Sequence, residues 1–152
     1  MIILTFIFML IDLISKYIIS KSISVNEGIV IIRNFFNITY VKNTGVAFSM
    51  FDDDKYFIII VSFFIIGGII YYIYKNKPKS NIEKVAYSLI LGGAIGNFIN
   101  RIVCGYVTDF IDLNIFGYNY PIFNLADTFI VIGVILLMIY SWRYGNGNKG
   151  HR

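Results

Sequence analysis

Four stretches of about twenty mostly apolar residues, at about 1–20, 56–74, 85–104 and 122–142, take up more than half of this 152-residue chain. A helix of that length rises roughly 30 Å, the hydrocarbon thickness of a bilayer, and satisfies its own backbone polar groups there. With 57% hydrophobic residues, 14% charged residues and a mean hydropathy of +0.71, the chain has far too much apolar surface for a soluble domain of its size. The expected fold class is membrane α-helical, with four transmembrane helices in a single domain over 1–152. The first stretch lacks a positively charged start and a small-residue cleavage site, and it carries Asp12 and Lys16, so it reads as a retained span rather than a signal peptide.

Orientation follows from where lysine and arginine fall in short loops. The segment between spans two and three carries Lys75, Lys77, Lys79 and Lys84 against Glu83, and the C-terminal tail carries Arg143, Lys149 and Arg152. Both are expected on the cytoplasmic side, which puts both termini there. Residues 102–121, with Asp109 and Asp112 and no base, are expected outside as a loop, as is the charge-balanced connection between spans one and two. That connection contains GIVIIRNFFNITYV at 28–41, which reads as two short strands around Arg33–Asn34, so an extracytoplasmic β-rich insertion is expected at about 25–50. Asp52–Asp54 suit an N-cap for span two.

The residue inventory excludes several kinds of chemistry. A single cysteine, Cys104, forms no intrachain disulfide, and a single histidine, His151, in a polar tail builds neither a histidine metal site nor a Cys–His dyad within the bilayer, so no metal or other cofactor is expected. The net charge of +4 comes from bases beside spans, with no basic domain to hold nucleic acid. A Ser–Lys dyad from Lys16 and Ser20 is disfavoured because Asp12 would keep the lysine protonated.

At about 1.5 Å per helical residue, Asp12 and Lys16 lie roughly 16 and 22 Å up span one, Asn97 and Arg101 roughly 18 and 24 Å up span three, and Asp127 about 7 Å below the outer end of span four. Ionisable groups at such depths are costly and are kept where they are paired or functional. One site near the outer leaflet is therefore expected. Asp12 and Lys16, four apart, suit an intrahelical ion pair as well as a role in that site. Asn97 and Arg101 share this spacing and lie level with the acidic segment. Gly92, Gly93 and Gly96 form a close-packing stripe, read for Gly92 and Gly96 as helix contact, and Gly67–Gly68 reads the same way. Gly45, in NTGVAF at 43–48, permits a sharp turn or close backbone approach.

VTDF at 107–110 and FNLAD at 123–127 place Asp109 and Asp127 at the two ends of the second outer loop. Two neighbouring half-buried carboxylates share a proton, one ionised and one neutral, and such a pair can activate water and protonate a leaving amine. The simpler alternative is a pair of solvated interfacial acids. Asp112 is expected on a wetter surface, while Tyr106, Phe110, Phe123 and Phe129 read as interfacial belt and core.

Along nearly its whole length the chain resembles the lipoprotein signal peptidases, the type II signal peptidases of bacteria. The family's D-x-x-x-K is matched by Asp12 and Lys16, its N-x-G-x-A-F by Asn43, Gly45, Ala47 and Phe48, and its G-x-x-x-N-x-x-x-R by Gly93, Asn97 and Arg101. Its two aspartate motifs fall on VTDF and FNLAD, with Asn124 and Ala126 beside the second aspartate. The family usually has an acid just before the arginine, where this chain has Asn100, and Val46 is a milder variation. The resemblance implies four helices with a small extracytoplasmic β-cradle, catalysis by Asp109 and Asp127, and support or substrate binding by Asp12, Lys16, Asn43, Gly45, Gly93, Asn97, Arg101, Asn124 and Ala126.

It implies an intramembrane aspartic endopeptidase of the bacterial cytoplasmic membrane, working near the extracytoplasmic face. The substrates would be diacylglyceryl-modified prolipoproteins, cut N-terminal to the lipidated cysteine, with membrane lipid as surroundings and no oligomer required. The alternatives are a small ion-coupled transporter or channel subunit, which would need polar residues continuing towards the cytoplasm, and a non-catalytic scaffold, which would tolerate asparagine at either aspartate position.

Overall fold

The computed structural model describes residues 1–45 and 55–145, so Val46, Ala47, Phe48, the Asp52–Asp54 cap, the far part of the Asn43–Met50 segment and His151 lie outside the described residues. Four long helices appear where the apolar windows fall: α1 Ile2–Ser22, α2 Lys55–Asn76, α3 Asn81–Cys104 and α4 Leu125–Gly145. All four are long and apolar enough to cross a membrane. α3 starts four residues earlier than its apolar window. Ser80 caps it by accepting from the Glu83 backbone N–H, and Glu83 reaches back to the Ser80 N–H, so the helix begins in polar sequence. It ends at Gly105, which takes the left-handed conformation (φ 79°) and donates its N–H to the Arg101 carbonyl at 2.9 Å.

α3 is the central helix, packed against the other three. Glycines permit this. A Cβ on Gly92 would lie 2.7 Å from Phe8 of α1, one on Gly96 would strike the Asp12 carboxylate, and one on Gly93 would strike the Ala126 carbonyl of α4. The stripe is thus helix contact, as expected, with the acid of α1 seated on it. The expectation fails for Gly67 and Gly68, which have nothing within 4 Å and face the exterior. Gly93→Ala should force α3 and α4 apart at a backbone atom that cannot rotate away. We expect a loss of about 1–3 kcal/mol in detergent melts, against no loss for Gly67→Ala, where a better helix former meets open space.

α1 is inverted relative to a soluble helix. Its only buried residues are Asp12 and Lys16, while Ile3, Phe6, Ile14 and Ile18 point outward. Lipid is the solvent that makes this arrangement stable.

The second correction concerns residues 102–121. They are not a plain loop but build half of a four-stranded antiparallel sheet: β1 Gly28–Ile32, β2 Phe36–Asn43, β3 Val107–Ile115 and β4 Tyr118–Asn119, in that spatial order. β1 and β2 turn at Arg33–Phe35, with Asn34 at φ 61°, as the strand reading anticipated. β3 pairs with β2 from Phe36↔Leu113 to Asn43↔Val107, with a register shift between Ile38 and Val41. On its other side Phe110 and Ile111 donate to the Phe123 carbonyl at 3.0 and 2.7 Å. The insertion at 25–50 therefore supplies two strands, and the second half of the cradle comes from a segment rich in Asp and Asn, which have low β-propensity on their own. By chain connectivity all four strands lie at one end of the bundle, opposite the α2–α3 turn, the start of α1 and the end of α4.

Candidate active site

At the sheet end of the bundle, the chain from Phe123 into α4 makes the first half of the site. Asn124 caps α4: its Oδ1 accepts from the Asp127 backbone N–H at 3.1 Å, and Asp127 Oδ2 accepts from the Asn124 N–H at 3.2 Å. This is a reciprocal capping box with aspartate in the place usually taken by glutamate or glutamine, and it sets one carboxylate in the first turn, where the helix dipole favours negative charge. Asp127 is therefore helical, as its place in the span-four window anticipated, while Asp109 is in a strand, which corrects the reading of its segment as a loop.

Asp109 sits in the buried first half of β3 and is 3% exposed. The strand is pinned just before it, where Asn100 Oδ1 accepts from the Thr108 N–H at 2.7 Å. Asn43, at the end of β2, donates to Asp109 Oδ2 at 2.8 Å, and Asn124 donates to Asp109 Oδ1 at 2.6 Å. Burial pushes the Asp109 carboxyl up to about 6; the two asparagine donors oppose the rise, and the nearby charge of Asp127 adds to it.

Asn97 joins the two halves. Its Nδ2 donates to Asp127 Oδ1 at 2.8 Å, and its Oδ1 accepts from Asn124 Nδ2 at 3.2 Å and from Lys16 Nζ at 2.6 Å. An ammonium can only donate, so Lys16 dictates which end of the Asn97 amide faces it and leaves the amide nitrogen for Asp127. Lys16 is held in turn by Asp12 at 2.7 Å, and Asp12 Oδ1 accepts from the Ala126 N–H of α4 at 2.9 Å. The pair is thus more than an intrahelical bridge, since it ties α1 to both α3 and α4. Among the described residues no buried side-chain polar atom lacks a partner. That completeness matters because half-satisfied polar groups are most costly in an apolar interior.

Asp12, Lys16, Asn43, Asn97, Asp109, Asn124, Ala126 and Asp127 thus form one connected network. Gly45 donates its N–H to Asn43 Oδ1 at 3.1 Å and orients that amide, and Gly93 packs against the Ala126 carbonyl. Arg101 is half-buried one turn beyond Asn97, within the electrostatic reach of Asp127 and Asp109, and makes no ion pair among the described residues. Asp112 is elsewhere: it accepts from Asn37 at 3.2 Å and Thr39 at 2.9 Å and braces β3 on β2. Ser20 is exposed and donates to the Tyr17 carbonyl at 2.9 Å, while Lys16 is buried in its ion pair, so the Ser–Lys dyad is not assembled.

The sequence reading left two residues out of the site: Asn100, noted as a departure from the family, holds the β3 backbone beside Asp109 through its amide oxygen, and Gly96, read as helix contact, seats Asp12 by its missing side chain. An acid at position 100 could accept the same bond, so the departure noted above leaves this anchor in place. The available signal was that Asn100 lies within the apolar span three residues after Asn97. The phenyl rings of Phe8 and Phe129 meet at 5.2 Å and Phe110 is buried, as expected for core.

Comparison with known proteins follows the same lines. A family model described as signal peptidase (SPase) II matches residues 4–143. Lipoprotein signal peptidases of Staphylococcus aureus strains JH9, Newman and N315 are each 39% identical over 128 residues, covering 84% of this chain and 78% of theirs. Two solved bacterial membrane enzymes, determined in meso at 2.3 and 1.9 Å resolution, superpose with TM-scores of 0.88 and 0.82 at 36% and 38% identity. The first alignment covers 99% of this chain and 92% of that structure, the second 91% and 90%. With the family model matching most of the chain and the fold superposing on these structures along nearly its whole length, this chain belongs to the signal peptidase II family, membrane peptidases that span the bilayer with several helices.

Proposed function

We propose that the protein is an aspartic endopeptidase that removes signal peptides from diacylglyceryl-modified prolipoproteins, cutting on the N-terminal side of the lipidated cysteine, with Asp109 and Asp127 as its catalytic pair. The observation that carries this reading is the hydrogen bonding of Asn124, which donates to Asp109 and exchanges bonds with Asp127, so that a strand acid and a helix acid share one partner. In this mechanism the pair holds one proton and a water. The ionised carboxylate takes a proton from the water as its oxygen attacks the scissile carbonyl, and the neutral one donates a hydrogen bond to the developing oxyanion. Collapse breaks the C–N bond as a proton passes to the leaving amine, which yields a carboxylate on the signal peptide and a free amine on the lipidated cysteine.

Asn97 and Asn124 hold the two acids in place, Asn43 and Arg101 face the substrate backbone, and Asp12 and Lys16 brace the site from α1. The lysine-rich α2–α3 turn supports a cytoplasmic end opposite the sheet, and hence an active site at the extracytoplasmic face of the cytoplasmic membrane. Acyl chains can then remain in lipid while the peptide bond meets the pair at the interface. The intramembrane charges among the described residues gather at one level instead of lining a path, which disfavours the transporter alternative.

The test is a gel-shift assay of the purified protein on a diacylglyceryl-modified prolipoprotein beside its unlipidated control. Cleavage of the lipidated form alone is expected, and intact lipidated substrate with well-folded enzyme would overturn the proposal. The pH dependence is a second expectation. Asp109 keeps its proton up to about 6, so a pair that needs one shared proton loses it as pH rises through that value. kcat/KM should fall on the alkaline side with an apparent pKa near this number, whereas a flat profile over roughly pH 5–8 would place the proton elsewhere. The same shift makes the folded state bind a proton that the unfolded chain has released. Stability associated with Asp109 should therefore decline as pH rises from the ordinary carboxylate range through about 6.

A further inference from the structure

The sheet carries a feature that the chemistry of the site does not use. β3 and β4 are joined by a two-residue turn, Phe116–Gly117, with both residues at positive φ (53° and 85°). Turns of this hand favour asparagine or glycine at both positions, and a phenylalanine there is strained. Phe116 is also 106% exposed, so its ring gains nothing from the protein that would offset the strain. The neighbouring turn, Arg33–Phe35, lies beside it: Asn114 donates its N–H to the Phe35 carbonyl at 2.9 Å, and the two turns line a cavity of about 560 Å³ between Phe35 and Phe116. Tyr118 and Tyr120 stand exposed on the same strand end, and all of β1, including Ile29 to Ile32, is exposed.

We propose that the paired turns are a membrane anchor, in which Phe116 and Phe35 insert among the outer-leaflet lipids of the bilayer that holds the helices. Continuity identifies the occupant. The exposed apolar side of α1, including Ile14, Tyr17 and Ile18, faces lipid, and the chain continues through exposed Val25 and a short polar turn at Asn26–Glu27 into the apolar strand β1. Phenyl rings with flanking tyrosines and a single exposed Arg33 are the mixture that settles at the headgroup boundary, where rings reach hydrocarbon and the guanidinium reaches phosphate. In water, a strand with the sequence GIVII exposed on both faces is an aggregation edge; lying against the leaflet, it is solvated. β3 runs roughly 20 Å from Asp109 to this turn, so the anchor would fix the sheet's tilt at a distance from the catalytic groups.

The test uses Trp142→Phe protein, which removes the chain's only tryptophan, with Phe116→Trp as reporter. It is reconstituted one copy per nanodisc of phosphatidylcholine and phosphatidylglycerol. Lipids brominated near the carbonyl end of the acyl chain should quench this tryptophan more strongly than lipids brominated near the methyl end, its emission should be blue-shifted, and aqueous iodide should quench it weakly. Strong iodide quenching without lipid quenching would overturn the proposal. So would protection from iodide that appears only with two copies per disc, which would identify a second chain as the occupant. A separate Phe35→Trp reporter should lose its lipid quenching when Phe116→Asn is added, although asparagine suits the turn better; unchanged quenching would show that the two turns do not act together.

Discussion

Asp109→Asn and Asp127→Asn should each fold and each lose roughly 10²–10⁴-fold in kcat/KM on lipidated prolipoprotein, the range expected when a general acid or base is removed. Asparagine preserves the shape but can neither take a proton from water nor share one. The structural cost should be small and specific. Asp127 uses one oxygen to accept from Asn97 and the other to accept from the Asn124 N–H, and an asparagine has one oxygen for both, so about 1 kcal/mol of stability is at stake. Asp112→Asn is the control: its carboxylate braces β2 and β3, so activity should stay within about twofold of wild type. Substantial cleavage by either dyad variant would remove the aspartic mechanism, and a loss in Asp112→Asn equal to theirs would show that the assay reads folding.

The largest stability effects should come from Asp12 and Lys16. Lys16→Met leaves the Asp12 carboxylate buried on Gly96 with the Ala126 N–H as its remaining donor, and Asp12→Leu leaves a buried ammonium bonded to Asn97 alone. Breaking one side of a buried pair typically costs about 3–5 kcal/mol, whereas replacing both partners by apolar residues costs much less. The double variant should therefore melt above both single variants in detergent. Activity should separate from stability in that double variant, because without the ammonium nothing dictates the Asn97 amide orientation and the donor to Asp127 is no longer assured. Recovered melting with recovered full activity would make the pair purely structural.

The legible parts of the fold were those set by local pattern. Four apolar runs of bilayer length gave the helices within a few residues, because a span's length is set by the membrane and its backbone bonds close within the segment. The one marked boundary error, the early start of α3, came from a capping box in polar sequence that an apolar window does not register. GIVII and FFNITYV announced themselves as strands through β-branched and aromatic residues. VTDFIDLNI did not, since its partners are β2, about 70 residues earlier, and Phe123, and its two aspartates are held by side chains of β2.

For the site, the residues were visible and their connections were not. Spacing along single helices paired Asp12 with Lys16 and Asn97 with Arg101, because residues four apart on a helix must share a face. Sequence by itself therefore determined the membrane class, the four spans, the level at which the polar groups collect and the two aspartates that stand out there. Only the tertiary structure decided that Lys16 bonds to Asn97, that Asp12 caps the Ala126 N–H across two helices, that Asn100 holds β3 and that Asn124 reaches both acids. The physical reason is that hydrogen bonds between elements depend on crossing and register, and the glycines at 93 and 96 set those only once three helices have packed.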